Sequence, residues 1–228
     1  MWTLAQLAWA PRAALAAILR RDRVALALFA YVALGAAQAE VLWPQRDVRT
    51  AIEDQLRKAP EVKGMSEAQV DQVVNQAVAV AHGVRWARGL GGPCLILFAT
   101  AGALWLALGL LLDADGLSFR RVLIVVCHTA LFVALVDALV MSALMGAGGA
   151  AAPRGLAGLH LGRLLGDGLD APLLHAWARH LNLATAWWVG LLGAGTAVAT
   201  DRGLRTTVPV IVAGWLLWAV LLVTLVRT

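Results

Sequence analysis

Two side chains with proton chemistry fall inside one long apolar run. Asp137 and His128 both lie in the stretch 122–145. A carboxylate at the centre of a hydrocarbon layer costs roughly 2.5–3.5 kcal/mol, so Asp137 should face the inside of a helical bundle. There it could relay a proton or a substrate, or it could make an interhelical hydrogen bond that fixes packing. The second is the plainer reading. His128 stands nine residues earlier, half a turn out of phase on a helix, so the two do not face each other. No Lys or Arg occupies any of the long apolar runs. The candidate partners of Asp137 are therefore Thr100, Thr185, Thr196, the indole of Trp105 or a water.

Other chemistry is harder to assemble. There is no G-x-S-x-G, no H-E-x-x-H and no G-x-x-x-x-G-K-[ST]. The serines are Ser66, Ser118 and Ser142, none in a nucleophile setting. His160, His175 and His180 with Asp167 and Asp170 suggest a metal, but His175 and His180 are five apart and splay on a helix. The Gly/Ala run around Pro153 reads as a linker, since no Lys-Ser/Thr follows it. Cys94 and Cys127 read as small apolar fillers. No catalytic, cofactor or metal site is assigned, and the expectation is a protein that is not an enzyme.

The elements that carry these residues follow from composition. Of 228 residues, 61% are hydrophobic and 14% charged, and the mean hydropathy is +0.75. An ordinary soluble domain is about 45–50% apolar and about 25% charged. Too few charges remain to cover a water-facing surface, which excludes a soluble enzyme, a disordered chain and a disulfide scaffold. Five runs approach the roughly 20 apolar residues that a bilayer crossing needs: 24–43, 93–112, 122–145, 181–200 and 208–226. A backbone in lipid must satisfy its own hydrogen bonds, so the expected fold class is all-α, a polytopic bundle of five transmembrane helices.

Basic residues set the orientation. Arg12, Arg20, Arg21 and Arg23 precede the first span, and the two short turns carry Arg120 with Arg121 and Arg202 with Arg205. The Arg-dense side should be cytoplasmic, with the N-terminus in and the C-terminus out. The net charge of +5 sits beside apolar runs and forms no separate patch, so nucleic acid is not the expected partner. An alternative reading of the start takes Arg20–Arg23, the apolar stretch and Ala37-Gln38-Ala39 as a signal peptide, which would leave four spans.

Outside the spans, 1–23 reads as a cytoplasmic segment lying on the headgroups, its stripe made by Leu4, Leu7, Ala8, Pro11, Leu15, Ile18 and Leu19. The outer loop 44–92 reads as a helical hairpin. Its first helix has Glu53/Arg57 and Asp54/Lys58 at i,i+4 spacing, and its second opens on a Ser66/Gln69 capping box. Val70, Val73, Val74, Ala77, Ala81 and Val84 then form a stripe too thin for a core of its own. The second outer loop is 146–180. Gly35 with Ala39, and Gly190 with Ala194, are small-xxx-small pairs suited to close helix packing within or between chains.

The order of parts resembles the bacterial branch of the Yip family, the Ypt/Rab-interacting-protein type of membrane domain. The likeness begins at Pro11 and the Ala-Ile-Leu-Arg run, continues at Ser66-Glu67-Ala68-Gln69, and is clearest at Gly116-Leu117-Ser118-Phe119-Arg120-Arg121-Val122-Leu123. It ends with Trp187, the turn at Asp201–Arg205 and Trp215. Asn182 and Ala184 stand where the family often has Asp and Phe, and Asp-Leu-Tyr-Gly-Pro is missing, so Rab binding is not carried over. The resemblance implies a five-span, multi-pass protein of the bacterial inner membrane without known catalysis. It supplies an ABC-type exporter as one partner class; the expected role is a scaffold or accessory subunit working through helix and loop contacts, with a second copy of the chain as the other candidate partner. The alternative is a small transporter or channel using Asp137 and His128.

Overall fold

The computed structural model describes residues 2–42, 48–58, 65–114, 116–148, 161, 178 and 181–225. Among them every regular element is helical and no strand is present. In chain order the α-helices are α1 (Trp2–Ala5), α2 (Pro11–Arg21), α3 (Val24–Leu42), α4 (Val48–Lys58), α5 (Glu67–Trp86), α6 (Gly92–Leu112), α7 (Phe119–Gly148), α8 (Leu183–Ala199) and α9 (Leu204–Leu225). Each of the five apolar runs is a helix: α3, α6, α7, α8 and α9. Two stretches, Gly89–Leu112 and Phe119–Ala143, are long and apolar enough to cross a membrane. The apolar stretches Val24–Ala37, Leu183–Ala199 and Leu204–Trp218 are shorter.

The chain divides into two compact units, 1–31 with 97–228, and 32–96. In the larger unit α8 is the central helix, and its sequence shows why. Gly193, Ala194, Gly195 and Ala197 keep its surface low on several sides, so neighbours can approach closely. A Cβ on Gly195 would collide with Val125 of α7, and one on Gly193 would lie 2.7 Å from the Val208 side chain of α9. Gly190, in contrast, is exposed and an added Cβ there would meet nothing within 4 Å. The close approaches therefore sit at Gly193 and Gly195, while Ala194 is buried between them.

The third side of α8 is filled by the start of the chain. Leu7, Ala14, Leu15 and Ile18 form one buried cluster with Ile124 and Phe132 of α7 and with Leu191 and Ala194 of α8. Phe132 meets Trp187 edge to face, with ring centroids 5.3 Å apart. The α7 members of this cluster run from Ile124 to Val136, about 18 Å of helix axis. Residues of the 1–23 segment thus pack on both α7 and α8. Of the expected stripe, Leu7, Leu15 and Ile18 are in this cluster and Leu4 and Leu19 pack against it, while Ala8 is exposed. On α8 the contact is made by Ala194 and Leu191, with Trp187 packed against them.

The smaller unit contains α4 and α5, as the hairpin reading expects. Arg49 holds them together: its guanidinium reaches Glu53 at 2.7 Å on its own helix, and Asn75 at 2.9 Å and Asp71 at 3.1 Å on α5. The capping box is present in both directions, with the Ser66 N–H donating to Gln69 Oε1 at 2.9 Å and the Gln69 N–H to Ser66 Oγ at 3.4 Å. Val74 is the fully buried member of the α5 stripe. A π-helical turn, Ala87–Gly91, then joins α5 to α6 without a break in the helix. Gly35 faces this segment, with an added Cβ 3.8 Å from Pro93 and 3.9 Å from the Gly89 carbonyl.

Candidate functional site

The polar groups inside the larger unit are spent on backbone and neighbouring helices. His128 is buried, and its Nδ1 lies 2.9 Å from the Ile124 carbonyl oxygen. A carbonyl only accepts, so Nδ1 carries the proton in this arrangement. Thr129 donates to the Val125 carbonyl at 2.8 Å and accepts from the Trp188 indole at 3.2 Å, which ties α7 to α8. Thr196 donates to Leu192 at 2.8 Å, and Thr207 of α9 reaches the Gly193 carbonyl at 3.3 Å. All three threonines are fully buried. Their hydroxyls cross-link α7, α8 and α9 or return to the preceding turn, as buried hydroxyls in apolar surroundings must.

Asp137 is half-buried on α7. Three of its sequence-proposed partners place their donors elsewhere: Thr185 on Asn182 at 2.9 Å, Thr196 on Leu192, and the Trp105 indole on the Leu117 carbonyl at 2.8 Å. The spacing to His128 amounts to about 13 Å of helix axis and half a turn, so the structure does not bring these two together. Cys94 and Cys127 are not joined in a disulfide. Ala39 has its side chain outside the described residues, as do Arg57 and Lys58 of the expected α4 pairs, and His160, Asp167, Asp170, His175 and His180 fall outside them altogether. Among the described residues no group of three His, Cys, Asp or Glu side chains could hold a metal.

What the larger unit does assemble is a basic end. Three turns meet there: α2 to α3, α6 to α7 and α8 to α9. Arg120 at the start of α7 binds Asp22 at 2.7 Å. Arg202 after α8 reaches the backbone carbonyl of Asp113 at 3.4 Å. Arg21 donates to Thr3 at 3.1 Å, closing the start of the chain onto the same end. Asp22, Asp113 and Asp201 each follow a helix in the left-handed conformation, with φ of 49°, 45° and 54°. Aspartate tolerates that conformation better than most residues. A carboxylate at a helix C-terminus opposes the helix dipole, and the surrounding guanidiniums offset it.

The Gly116–Leu123 motif lies at the centre of this end. Gly116 takes φ of 84°, which lets the chain reverse, and Ser118 caps α7 by accepting from the Arg121 N–H at 3.3 Å. Trp105 packs edge to face on Phe119, with ring centroids 6.3 Å apart, while its N–H holds the Leu117 carbonyl. Arg20, Arg23, Arg121 and Arg205 are exposed around these turns, and their guanidiniums make no hydrogen bond or ion pair with the described residues. Sequence reading placed these arginines on one side of the chain but gave none of the pairings. The signal available was an Asp within two residues of each helix end, beside an Arg at Asp22 and Asp201 but not at Asp113.

The fold is thus all-helical, with two helices fit to cross a bilayer and a cationic end where three turns converge. Comparison with known protein families, curated proteins and solved structures finds no match to this chain.

Proposed function

We propose that this chain is a multi-pass integral membrane protein of the bacterial inner membrane, of the Yip type, with five crossings by α3, α6, α7, α8 and α9. It acts as a scaffold or accessory subunit through its helices and loops. One observation carries the membrane reading: α3, α6, α7 and α9 carry apolar side chains that the described residues leave uncovered. Leu110 is 79% exposed, Phe29 72% and Leu139 69%. Leu95, Ile96 and Leu106 on α6, and Leu217 and Trp218 on α9, are exposed as well. Apolar surface on this scale needs lipid or a partner chain to cover it.

The scaffold reading is supported by how the interior is used. Glycine contacts, threonine hydroxyls and the Trp188 indole serve helix packing, and His128 is satisfied by its own helix. A bundle built this way presents its surface, and membrane proteins that it meets there are its proposed partners, an ABC-type exporter being one class and a second copy another. The test is cross-linking in cells followed by extraction in mild detergent. A stoichiometric membrane-protein partner, or a homo-oligomer, is the expected result. Recovery of isolated monomers from several mild detergents after cross-linking would reject the scaffold role.

A further inference from the structure

The basic end and the exposed apolar faces beside it are complementary to one kind of molecule. We infer that Arg20, Arg23, Arg121 and Arg205 bind the phosphates of anionic phospholipids whose acyl chains lie on α3 and α6. The inference rests on the membrane reading above and names the lipid class recognised at this end. Arg120 and Arg202 are engaged within the protein, with Asp22 and the Asp113 carbonyl. Arg20, Arg23, Arg121 and Arg205 are not so engaged among the described residues, and all four are exposed. Asp22 is taken up by Arg120, and the four remaining arginines outnumber the exposed Asp113 and Asp201 of the same turns, which leaves a cationic excess.

Directly beside these arginines the helix surfaces are oily. Leu26 and Phe29 lie in the first two turns of α3, and Leu106, Leu110 and Leu111 in the last two turns of α6; all five are exposed. An amphiphile with its chains on these leucines places its headgroup at the level of the arginines. The Trp105–Phe119 pair marks the same level, as aromatic residues do at membrane interfaces. Guanidiniums favour phosphate because their planar fork makes paired, charge-assisted hydrogen bonds. An acidic protein segment shares the charge but has no use for the adjoining apolar surface, which is why the lipid is favoured.

The test uses the full-length protein purified in a neutral detergent. Phosphatidylglycerol or phosphatidylcholine is added, and retained lipid is counted by native mass spectrometry alongside thermal stability. Each arginine near a membrane surface should contribute roughly five-fold in preference for the anionic lipid. Wild type is expected to retain phosphatidylglycerol over phosphatidylcholine, and the Arg20→Gln/Arg23→Gln/Arg121→Gln/Arg205→Gln variant to lose that preference while keeping its stability in phosphatidylcholine. If the fourfold variant does not fold, Arg23→Gln/Arg205→Gln should show a partial loss. Equal retention of both lipids by wild type, or an unchanged preference in a folded variant, overturns the inference. So does inorganic phosphate giving the same stabilisation as phosphatidylglycerol, which would mark a free-phosphate site, or a poly-glutamate peptide competing the lipid away with higher affinity, which would mark a protein site. Flotation with phosphatidylcholine vesicles separates the two readings: wild type that floats but shows no lipid preference fails only this inference, and wild type that does not float fails the membrane reading.

Discussion

Gly195 and Gly193 decide how closely α7 and α9 can approach α8. At Gly195 a methyl group has no room beside Val125, so Gly195→Ala should lower thermal stability in detergent by about 1–3 kcal/mol. Gly193→Ala should do the same to a smaller degree, since only the tip of Val208 must move. Gly190→Ala is the control: its Cβ enters open space, and the better helix propensity of alanine should raise stability by up to about 1 kcal/mol. Adding Val125→Ala to Gly195→Ala should recover part of the loss. Equal effects at Gly190 and Gly195 would mean that the close approach to α7 is not there. Arg120 belongs to a different class. Its bond with Asp22 joins side chains that are 65% and 43% exposed, so water and salt screen it. Arg120→Ala should cost no more than about 1 kcal/mol, and the cost should vanish in high salt. A large, salt-independent loss in a salt titration of thermal stability would show that Arg120 does more than pair with Asp22.

The docking of α2 is the contact that most changes the reading of an element. Leu15 is fully buried between α7 and α8. Leu15→Ala should therefore destabilise the bundle by about 2–5 kcal/mol, and Leu15→Cys should resist maleimide until the protein unfolds, while Arg12→Cys on the exposed side reacts at once. A segment merely resting on headgroups would show neither difference. Why the sequence revealed the stripe but not its partner is a matter of physics. Periodicity reports that one face of a helix leaves water, and lipid and protein are equally apolar, so the pattern at Leu7, Leu15 and Ile18 suits both. The same limit applies to the glycines. Ala194 of the Gly190/Ala194 pair is buried in this chain and Gly190 is exposed, while Gly193 and Gly195, at another spacing, make the tightest approaches, because which side of α8 faces which neighbour depends on non-local packing. Long apolar runs and local caps were legible, since length, period and the Ser66/Gln69 pair act within a few residues. The junction of α5 with α6 was not, because a π turn leaves no sharp break in composition. Nor were the Asp22–Arg120 and Trp105–Leu117 contacts, which join residues far apart or across a turn. His128 was read as off-axis from Asp137, and the helix keeps that phase.

The topology proposed for the whole chain has a consequence that no single helix carries. The basic end joins the turns before α3, before α7 and before α9, so these three helices start at one end of the larger unit and α6 and α8 finish there. If that end is cytoplasmic, as its arginines argue, an odd number of crossings separates residue 1 from residue 228. Fusing a cytoplasm-active reporter to the N-terminus and a periplasm-active reporter to the C-terminus should give signal from both, and exchanging the reporters should silence both. On the proposed topology alkaline carbonate should leave the chain in the membrane pellet, since the leucines exposed on α6 and the aromatics exposed on α3 and α9 would be held by lipid and not by charge. Replacing Arg20, Arg23, Arg121 and Arg205 with Gln should weaken the orientation bias without releasing the chain from the membrane, because charge sets direction and apolar area sets insertion. Both termini reporting from one compartment would leave an even number of crossings. That result would force one of the three shorter apolar stretches, Val24–Ala37, Leu183–Ala199 or Leu204–Trp218, out of the spanning set.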